Sequence, residues 1–302
     1  MLEFHPLQLS DIETLRPFFG RNESRICDLT PGTIFIWRDM YKAEWAIYNG
    51  SLYFKVLYPG LGETFTLPLR GNRQKHYRQI ADYCCRRKMP IAFYPVPKEE
   101  LEALQDSFPN SAAIPERDNF DYLYRAEDLK YFRGKKLSGQ RNHVNKFLKT
   151  YGTWSFRTIT QADIPAVKAF LDNYASRWDK TSSTFHEDIA KTHEVLDNYA
   201  TYQMLGGMLL VDNIIVGFAL GEVVGDTLFT HIEKADRDYQ GCYQMLVAQY
   251  AQQFATDAIP FINREDDTGD LGLRTSKLSY HPISLLEKYT VTVEEPCTFC
   301  ND

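Results

Sequence analysis

His231 and Glu233 stand two residues apart in the apolar, β-branched run from Leu228 to Ala235, which reads as a strand. Side chains two apart on a strand share a face, so an imidazole and a carboxylate would be presented together near its C-terminal end. Such a pair can deprotonate an amine or orient a water, with Glu233 as general base and His231 beside it. A half-exposed polar strand face explains the same spacing without chemistry. Asn263 ends a second short apolar run, where a sheet would splay to admit a ligand and a side-chain amide can bond a substrate backbone. Glu265, Asp266, Asp267 and Asp270 form an acidic loop before a helix, whose positive end favours carboxylates. Capping accounts for one or two of these acids. The surplus is expected to hold a cationic amine, with Glu265 and Asp267 as candidates, rather than a magnesium ion, for which no further ligand spacing is present. Arg274 and Lys277, three apart on that helix, share a face and suit either a phosphate or the neighbouring acids.

Two further features suit anions. The turn Asp236–Gly241 leads from the first strand into a helix beginning near Cys242, and the leading N–H groups of a helix are unpaired and lie at its positive end. Arg237 and Gly241 are therefore donor-binding candidates, although a glycine before a helix is also an ordinary turn. Between Arg125 and Lys149, eight bases stand against two acids in a chain whose net charge is −6. Ser138 can cap a helix there, with Val144, Phe147 and Leu148 docking inward. Lys135, Lys136, Arg141 and Lys146 would then form an anion patch for a tRNA acceptor stem or for the phosphates of coenzyme A. A solvated basic face is the plain alternative. His231-x-Glu233 together with Pro296-Cys297-x-x-Cys300 imitates zinc-deaminase wording, but the strand context and the two missing ligands speak against zinc. No nucleophile elbow, Walker loop or Rossmann fingerprint appears.

The elements that must position these residues come from a chain of 302 residues, long enough for two compact units. Hydrophobic residues at 44% and charged residues at 25% exclude a disordered or collagen-like chain. Mean hydropathy is −0.40, and no apolar run reaches the roughly 20 residues of a membrane-spanning helix. Neither a basic leader nor a long apolar block opens the sequence, so no signal peptide and a cytoplasmic location are expected. Six cysteines without framework spacing are expected to be free thiols. Aligned with itself, the chain repeats three collinear blocks. Phe4, Leu7, Asp11-Ile12, Leu15 and Phe18-Phe19 recur as Phe156, Ile159, Asp163-Ile164, Val167 and Phe170-Leu171, each a strand, a turn with Asp as N-cap, and a helix. Ala46–Leu52 matches Leu209–Ile215 as a tight hairpin, and Gly71 with its helix and Ile91-Ala92-Phe93 matches Gly241 with its helix and Phe261-Ile262-Asn263. The expected class is α/β (α+β), each copy a mixed, mainly antiparallel sheet flanked by helices. Residues 1–125 form a degenerate N-terminal copy, 126–150 a basic linker and helix, and 151–302 the working copy, with one final strand over 283–295.

The wording is more specific than the pattern. His231-Ile232-Glu233-Lys234-Ala235-Asp236, Tyr239-Gln240-Gly241, Asn263-Arg264-Glu265-Asp266-Asp267-Thr268-Gly269, Leu273-Arg274-Thr275-Ser276-Lys277 and Lys135-Lys136-Leu137-Ser138-Gly139-Gln140-Arg141 resemble a bacterial family related to the C-terminal domain of phosphatidylglycerol lysyltransferase. The order of elements is similar to that of GNAT-type acyltransferases, whose cofactor pyrophosphate sits at the turn occupied here by Arg237 and Gly241, with Cys242 where a further glycine is usual. The resemblance implies two fused GNAT-like domains that move an acyl or aminoacyl group. It implies aminoacyl-tRNA or acyl-CoA as donor substrate with no tightly bound cofactor, a small-molecule, peptide or lipid-headgroup acceptor attacking through an amine or hydroxyl, and Tyr280 as acid for the leaving group. A non-catalytic ligand-binding protein on the same fold is the competing reading. Phe93 stands in the first copy where Asn263 stands in the second, which assigns the working site to the second.

Overall fold

The computed structural model describes residues 1–20, 24–177 and 183–293. Its strands are β1 (His5–Pro6), β2 (Glu44–Tyr48), β3 (Ser51–Tyr58), β4 (Gly62–Phe65), β5 (Ile91–Pro97), β6 (Ser111–Pro115), β7 (Asp121–Arg125), β8 (Trp154–Thr158), β9 (Leu205–Val211), β10 (Ile214–Val224), β11 (Thr227–Ala235), β12 (Phe261–Asn263), β13 (Ser284–Leu286) and β14 (Lys288–Val293). They form two seven-stranded sheets, ordered β1-β2-β3-β4-β5-β14-β6 and β13-β7-β12-β11-β10-β9-β8. Each sheet is mainly antiparallel with one parallel pair, β4 with β5 and β11 with β12. Helices flank both, Arg73–Arg87 beside the first sheet and Ile164–Ser176 and Cys242–Phe254 beside the second. This is the expected mixed α/β class of two GNAT-like units.

The three repeated blocks have matching local structure. Both helical entries begin with a 3-10 turn closed by a capping box, Gln8 with Asp11 and Thr160 with Asp163. The two aspartates stand at the N-cap of the α-helix that follows, as the spacing suggested, but their side chains turn back to the 3-10 turn and do not cap that helix. Each sits at the third position and accepts the backbone N–H of the residue three earlier, at 2.9 Å in both copies. Both hairpins turn through two successive left-handed residues, Asn49-Gly50 and Asp212-Asn213, the geometry that suits the twist of antiparallel strands.

The boundaries differ from the expected 1–125, 126–150 and 151–302. One compact unit takes Met1–Asp121 together with the chain from Leu286 onward, and the other takes Tyr122–Leu285. The expected single strand over 283–295 is instead two strands in different sheets: β13 pairs in the second, while β14 inserts between β5 and β6 of the first. In exchange, β7 leaves the first half of the sequence and pairs antiparallel with β12. An alignment of the two halves is blind to such a swap, because each copy still reads as ending in a strand. The segment 126–150 is not a separate linker. Its helices, Ala126–Tyr131 and Ser138–Thr150, belong to the second unit, and Leu129, Phe132, Leu137 and Phe147 are buried in the same core as Met245, Leu246 and Ala251 of Cys242–Phe254. The core of the first unit gathers Phe65, Tyr77, Ile80, Phe93, Phe108 and, from β14, Val291.

Candidate functional site

β11 and β12 run side by side for only three pairs, ending at Phe229 with Asn263; β11 continues to Ala235 with only β10 as its registered partner on that stretch. Between Leu220 and Gly221 the β10–β11 register slips by one, leaving His231 as the extra residue of a bulge. The bulge breaks the period of two on which a shared face for His231 and Glu233 rested. His231 is completely shielded and hydrogen-bonded through Nδ1 to Glu265 (2.8 Å) and through Nε2 to Glu222 (3.1 Å). Burial opposes its charge, but the two carboxylates outweigh burial and hold its pKa up at about 10. His231 is thus an imidazolium at neutral pH, with no lone pair to accept a proton. Glu233 takes a different partner, Arg264 at 2.8 Å, and keeps 15% exposure of its side chain. The Arg264 guanidinium lies over the Tyr280 ring at 4.5 Å.

Asn263 is fully buried, and its Oδ1 accepts the Glu265 N–H at 2.6 Å while Glu265 adopts φ +55°. That amide builds the turn that delivers Glu265 to His231. Asp267, also fully buried, accepts two hydrogen bonds from Arg274, at 3.0 and 2.6 Å, plus one from the Tyr122 hydroxyl and one from Gly269 N–H. Burial pushes its pKa up, but these donors win and hold it at about 2. Lys277 donates to the carbonyl oxygens of Arg264 and Asp266. Tyr280 is 2% exposed, and burial pushes its phenol up to about 12 despite the opposing Arg264 charge.

The structure therefore brings His231, Glu233, Asn263, Glu265, Asp267, Arg274, Lys277 and Tyr280 together, but as a largely buried network of hydrogen bonds and ion pairs instead of an open cleft. The expected placement of Glu265 and Asp267 as hosts for a free amine meets two carboxylates already engaged, and Tyr280 is shielded where a leaving-group acid needs access. Sequence spacing could identify the residue types but not which would consume each other.

Gly241 also departs from expectation. It adopts φ +80°, and a Cβ there would lie 2.2 Å from the His143 carbonyl oxygen. The glycine lets helix Ser138–Thr150 approach the first turn of Cys242–Phe254, and the Tyr151 hydroxyl accepts the Gln240 N–H at 3.0 Å. The helix start is covered by protein, where the sequence suggested an open phosphate cradle. Cys242 is buried and its thiol is pushed up to about 12, which rules out a thiolate nucleophile.

Arg237 instead lines an open cleft of about 260 Å³ at the turn after β11, with Phe170, Asn173, Tyr174, Arg177, Asp236 and Asp238. Arg177 pairs with Asp236 at 2.9 Å and Asp238 at 3.0 Å. Sequence reading missed Tyr174 and Arg177, because nothing distinguishes them on their own helix; only the fold brings that helix end to the turn. Tyr174 hydrogen-bonds to Tyr243, in the first turn of the helix Cys242–Phe254. Of the basic patch, Lys135, Lys136 and Lys146 are exposed, with Lys136 paired to Asp128 at 3.0 Å. Arg141 is half-buried and donates to the carbonyls of Phe132 and Gly134.

Cys27, Cys84 and Cys242 are free thiols, whereas Cys85 is disulfide-bonded, contrary to the expectation that every thiol is free. The Pro296-Cys297-x-x-Cys300 run lies outside the described residues. Among the described residues, no helix is long and apolar enough to cross a membrane.

A family model described as phosphatidylglycerol lysyltransferase, C-terminal, matches residues 20–292, and the chain belongs to that family. A conserved protein of unknown function from Bacteroides thetaiotaomicron is 28% identical with a TM-score of 0.90, over 97% of this chain and 100% of that one. The structure of L-PGS from Bacillus licheniformis has a TM-score of 0.69 at 12% identity, over 97% and 94% of the two chains. An uncharacterised protein of Mycoplasmoides gallisepticum is 24% identical over 196 residues, which span 64% of this chain and 62% of that protein.

Proposed function

We propose that this chain catalyses acyl transfer in its second unit, passing an aminoacyl group from aminoacyl-tRNA to an amine or hydroxyl acceptor. The observation that carries the reading is the cleft at Asp236–Asp238. It opens at the turn between β11 and the helix Cys242–Phe254, at the end of the stretch that β11 runs on beyond its last pair with β12. Membership in a family named for a lysyltransferase supplies the class of reaction. In the proposed step the acceptor nitrogen or oxygen attacks the ester carbonyl, the bond to the ribose oxygen of the tRNA breaks, and the acceptor proton ends on that oxygen. Glu233 is the proposed proton acceptor. Arg264 fixes its carboxylate at 2.8 Å, and 15% of its side chain stays exposed. Arg177 and Arg237 position the donor, and exposed Lys135, Lys136 and Lys146 supply charge for the phosphate backbone.

The test is a transfer assay on the purified full chain with labelled aminoacyl-tRNA, an amine acceptor in one arm and lipid vesicles in another. Loss of the ester above its spontaneous hydrolysis, with label in the acceptor, is the expected result. Arg177→Ala is expected to lower kcat/KM by about tenfold to a hundredfold, the worth of one charged hydrogen bond. A parallel arm with acetyl-coenzyme A, read as released thiol, distinguishes the acyl-CoA reading favoured by the two arginines of the cleft. Turnover of neither donor, with no salt-sensitive binding of tRNA, overturns catalysis and leaves a binding protein on this fold.

A further inference from the structure

The first unit, expected to be degenerate, has a cavity of its own. A partly open space of about 60 Å³ lies among Trp37, Tyr41, Phe54, Tyr58, Tyr94 and Asp28, all within Met1–Asp121. At about 10–15 Å³ for each water-sized occupant, that space takes roughly four to six non-hydrogen atoms. Tyr41 and Tyr58 stack at 6.2 Å with 13° between their planes, and the Tyr58 and Tyr94 centroids are 4.0 Å apart. Asn119 donates to both hydroxyls, at 3.1 Å to Tyr58 and 2.7 Å to Tyr94, so the rings are held in place before any ligand arrives.

The floor is charged. Lys288 of β14, wholly buried, sends its ammonium to Asp28, to Asp121 at 2.7 Å and to the Cys27 sulfur at 3.4 Å. Cys27, Asp28 and Asp121 are close enough to one another to resemble a metal site, but the lysine already occupies the place of a cation. Of the two carboxylates on this ammonium, Asp28 is the one that lines the cavity, with 23% of its side chain exposed. Arg38, also at the wall, donates to the Phe35 carbonyl at 2.6 Å and lies 3.6 Å from Asp39, which balances its charge locally.

From this box of aromatic rings with a carboxylate at its wall, we propose that the first unit binds the head of an organic ammonium ligand. Ring faces attract cations, and a compact, weakly hydrated ammonium gains most from such a box. Burial drives the Asp28 carboxyl upward and Lys288 only partly draws it back, so a cation seated beside it relieves the carboxylate. The site is independent of the transfer reaction assigned to the second unit.

The experiment titrates the full chain with tetramethylammonium, choline and ethanolamine, and with 3,3-dimethylbutan-1-ol, a neutral isostere of choline. Binding is read from the indole N–H resonance of Trp37, identified with Trp37→Phe. At least one cation is expected to saturate the shift, with the neutral isostere about tenfold weaker or worse. Comparison of choline with ethanolamine tells a quaternary from a primary ammonium. Asp28→Asn is expected to shrink the preference for the cation to within about threefold while leaving the neutral ligand unchanged. If that variant does not fold, Tyr41→Ala at the rim is expected to weaken choline at an unaltered thermal midpoint. Equal affinity for choline and its isostere, or no saturable shift with any of the three cations, overturns the proposal.

Discussion

Where the parallel pair ends, the first unit sets Phe65 beside Phe93 and the second sets Phe229 beside Asn263. Phe93 continues into a cluster with Tyr77, Phe108 and Phe65, at centroid separations of 5.8, 5.7 and 6.4 Å. Asn263 instead turns the chain toward an imidazolium, two carboxylates and, one residue on, a buried guanidinium. The first arrangement draws its stability from apolar burial, about 1.5–3 kcal/mol for a large side chain. The second takes charges out of water, which costs several kcal/mol per ion and is offset only when every partner is in place. One framework thus closes the same sheet end in two ways, and the costlier way lies in the unit that also carries the open cleft. The first unit keeps its polar features elsewhere, under the aromatic box around Asp28.

If the first unit lives on packing, a charge in its core is the most damaging change. Val291 of β14 is fully buried and faces Phe93 and Ala113 in register. Val291→Asp is expected to cost about 4 kcal/mol or more in thermal unfolding. Hydrogen exchange sharpens the contrast: amides of β3 to β5 should lose protection while those of β9 to β11 keep it, and joint loss would make the units one cooperative block.

If the second unit lives on paired charge, removing one partner is next in size. His231→Phe leaves Glu222 and Glu265 facing each other and is expected to cost about 3 kcal/mol near neutral pH. Because the folded pKa of His231 is about 10 and its ordinary value is 6.5, its contribution is fully present below pH 6.5 and is lost as pH rises toward 10. The wild-type thermal midpoint should therefore fall across that window, and the variant should flatten the fall. A similar slope in both proteins would refute the buried imidazolium.

The glycines near the two helix starts offer a finer comparison: Gly241 is itself the N-cap, whereas Gly71 precedes the N-cap Asn72. A Cβ on Gly241 meets the backbone oxygen of His143, whereas on Gly71 (φ +86°) it meets the Ser51 and His76 side chains, at 2.3 and 2.6 Å. Backbone yields less readily than side chains, so Gly241→Ala is expected to cost about 2–3 kcal/mol and Gly71→Ala about 1–2, measured by denaturant midpoint. The smallest effect belongs to the surface. Lys135→Ala with Lys146→Ala should leave stability within about 0.5 kcal/mol. It should lower the salt slope of tRNA binding by about 0.7–0.9 per lost contact, and an unchanged slope would remove these lysines from the donor path.

The architecture was legible because its signals are local: two hairpins turning through Asn49-Gly50 and Asp212-Asn213, two helical entries at Asp11 and Asp163, and two helix-then-strand runs that reach Phe93 and Asn263. What sequence could not carry was partnership. β7 reads Asp121-Tyr122-Leu123-Tyr124-Arg125 and β14 Lys288-Tyr289-Thr290-Val291-Thr292-Val293, and nothing in either run states which sheet receives it. The site shows the same limit. His231 and Glu233 were found by spacing, yet one bulged residue gives them separate partners, and whether Asp267 meets a substrate or Arg274 depends on a loop closing on itself. Tyr174 and Arg177 carried no motif, since their position is produced by packing alone.

The exchange of β7 for β14 reverses the calendar of the two units during synthesis. β5 is made by Pro97, but its neighbour β14 begins only at Lys288, so a nascent chain carries that strand edge unpaired while the whole second unit is being translated. Unpaired edges invite pairing with other chains, a hazard for a molecule that expects its closing strand last. The second sheet has all seven of its strands once Leu286 has left the ribosome. The unit begun first is therefore the unit finished last.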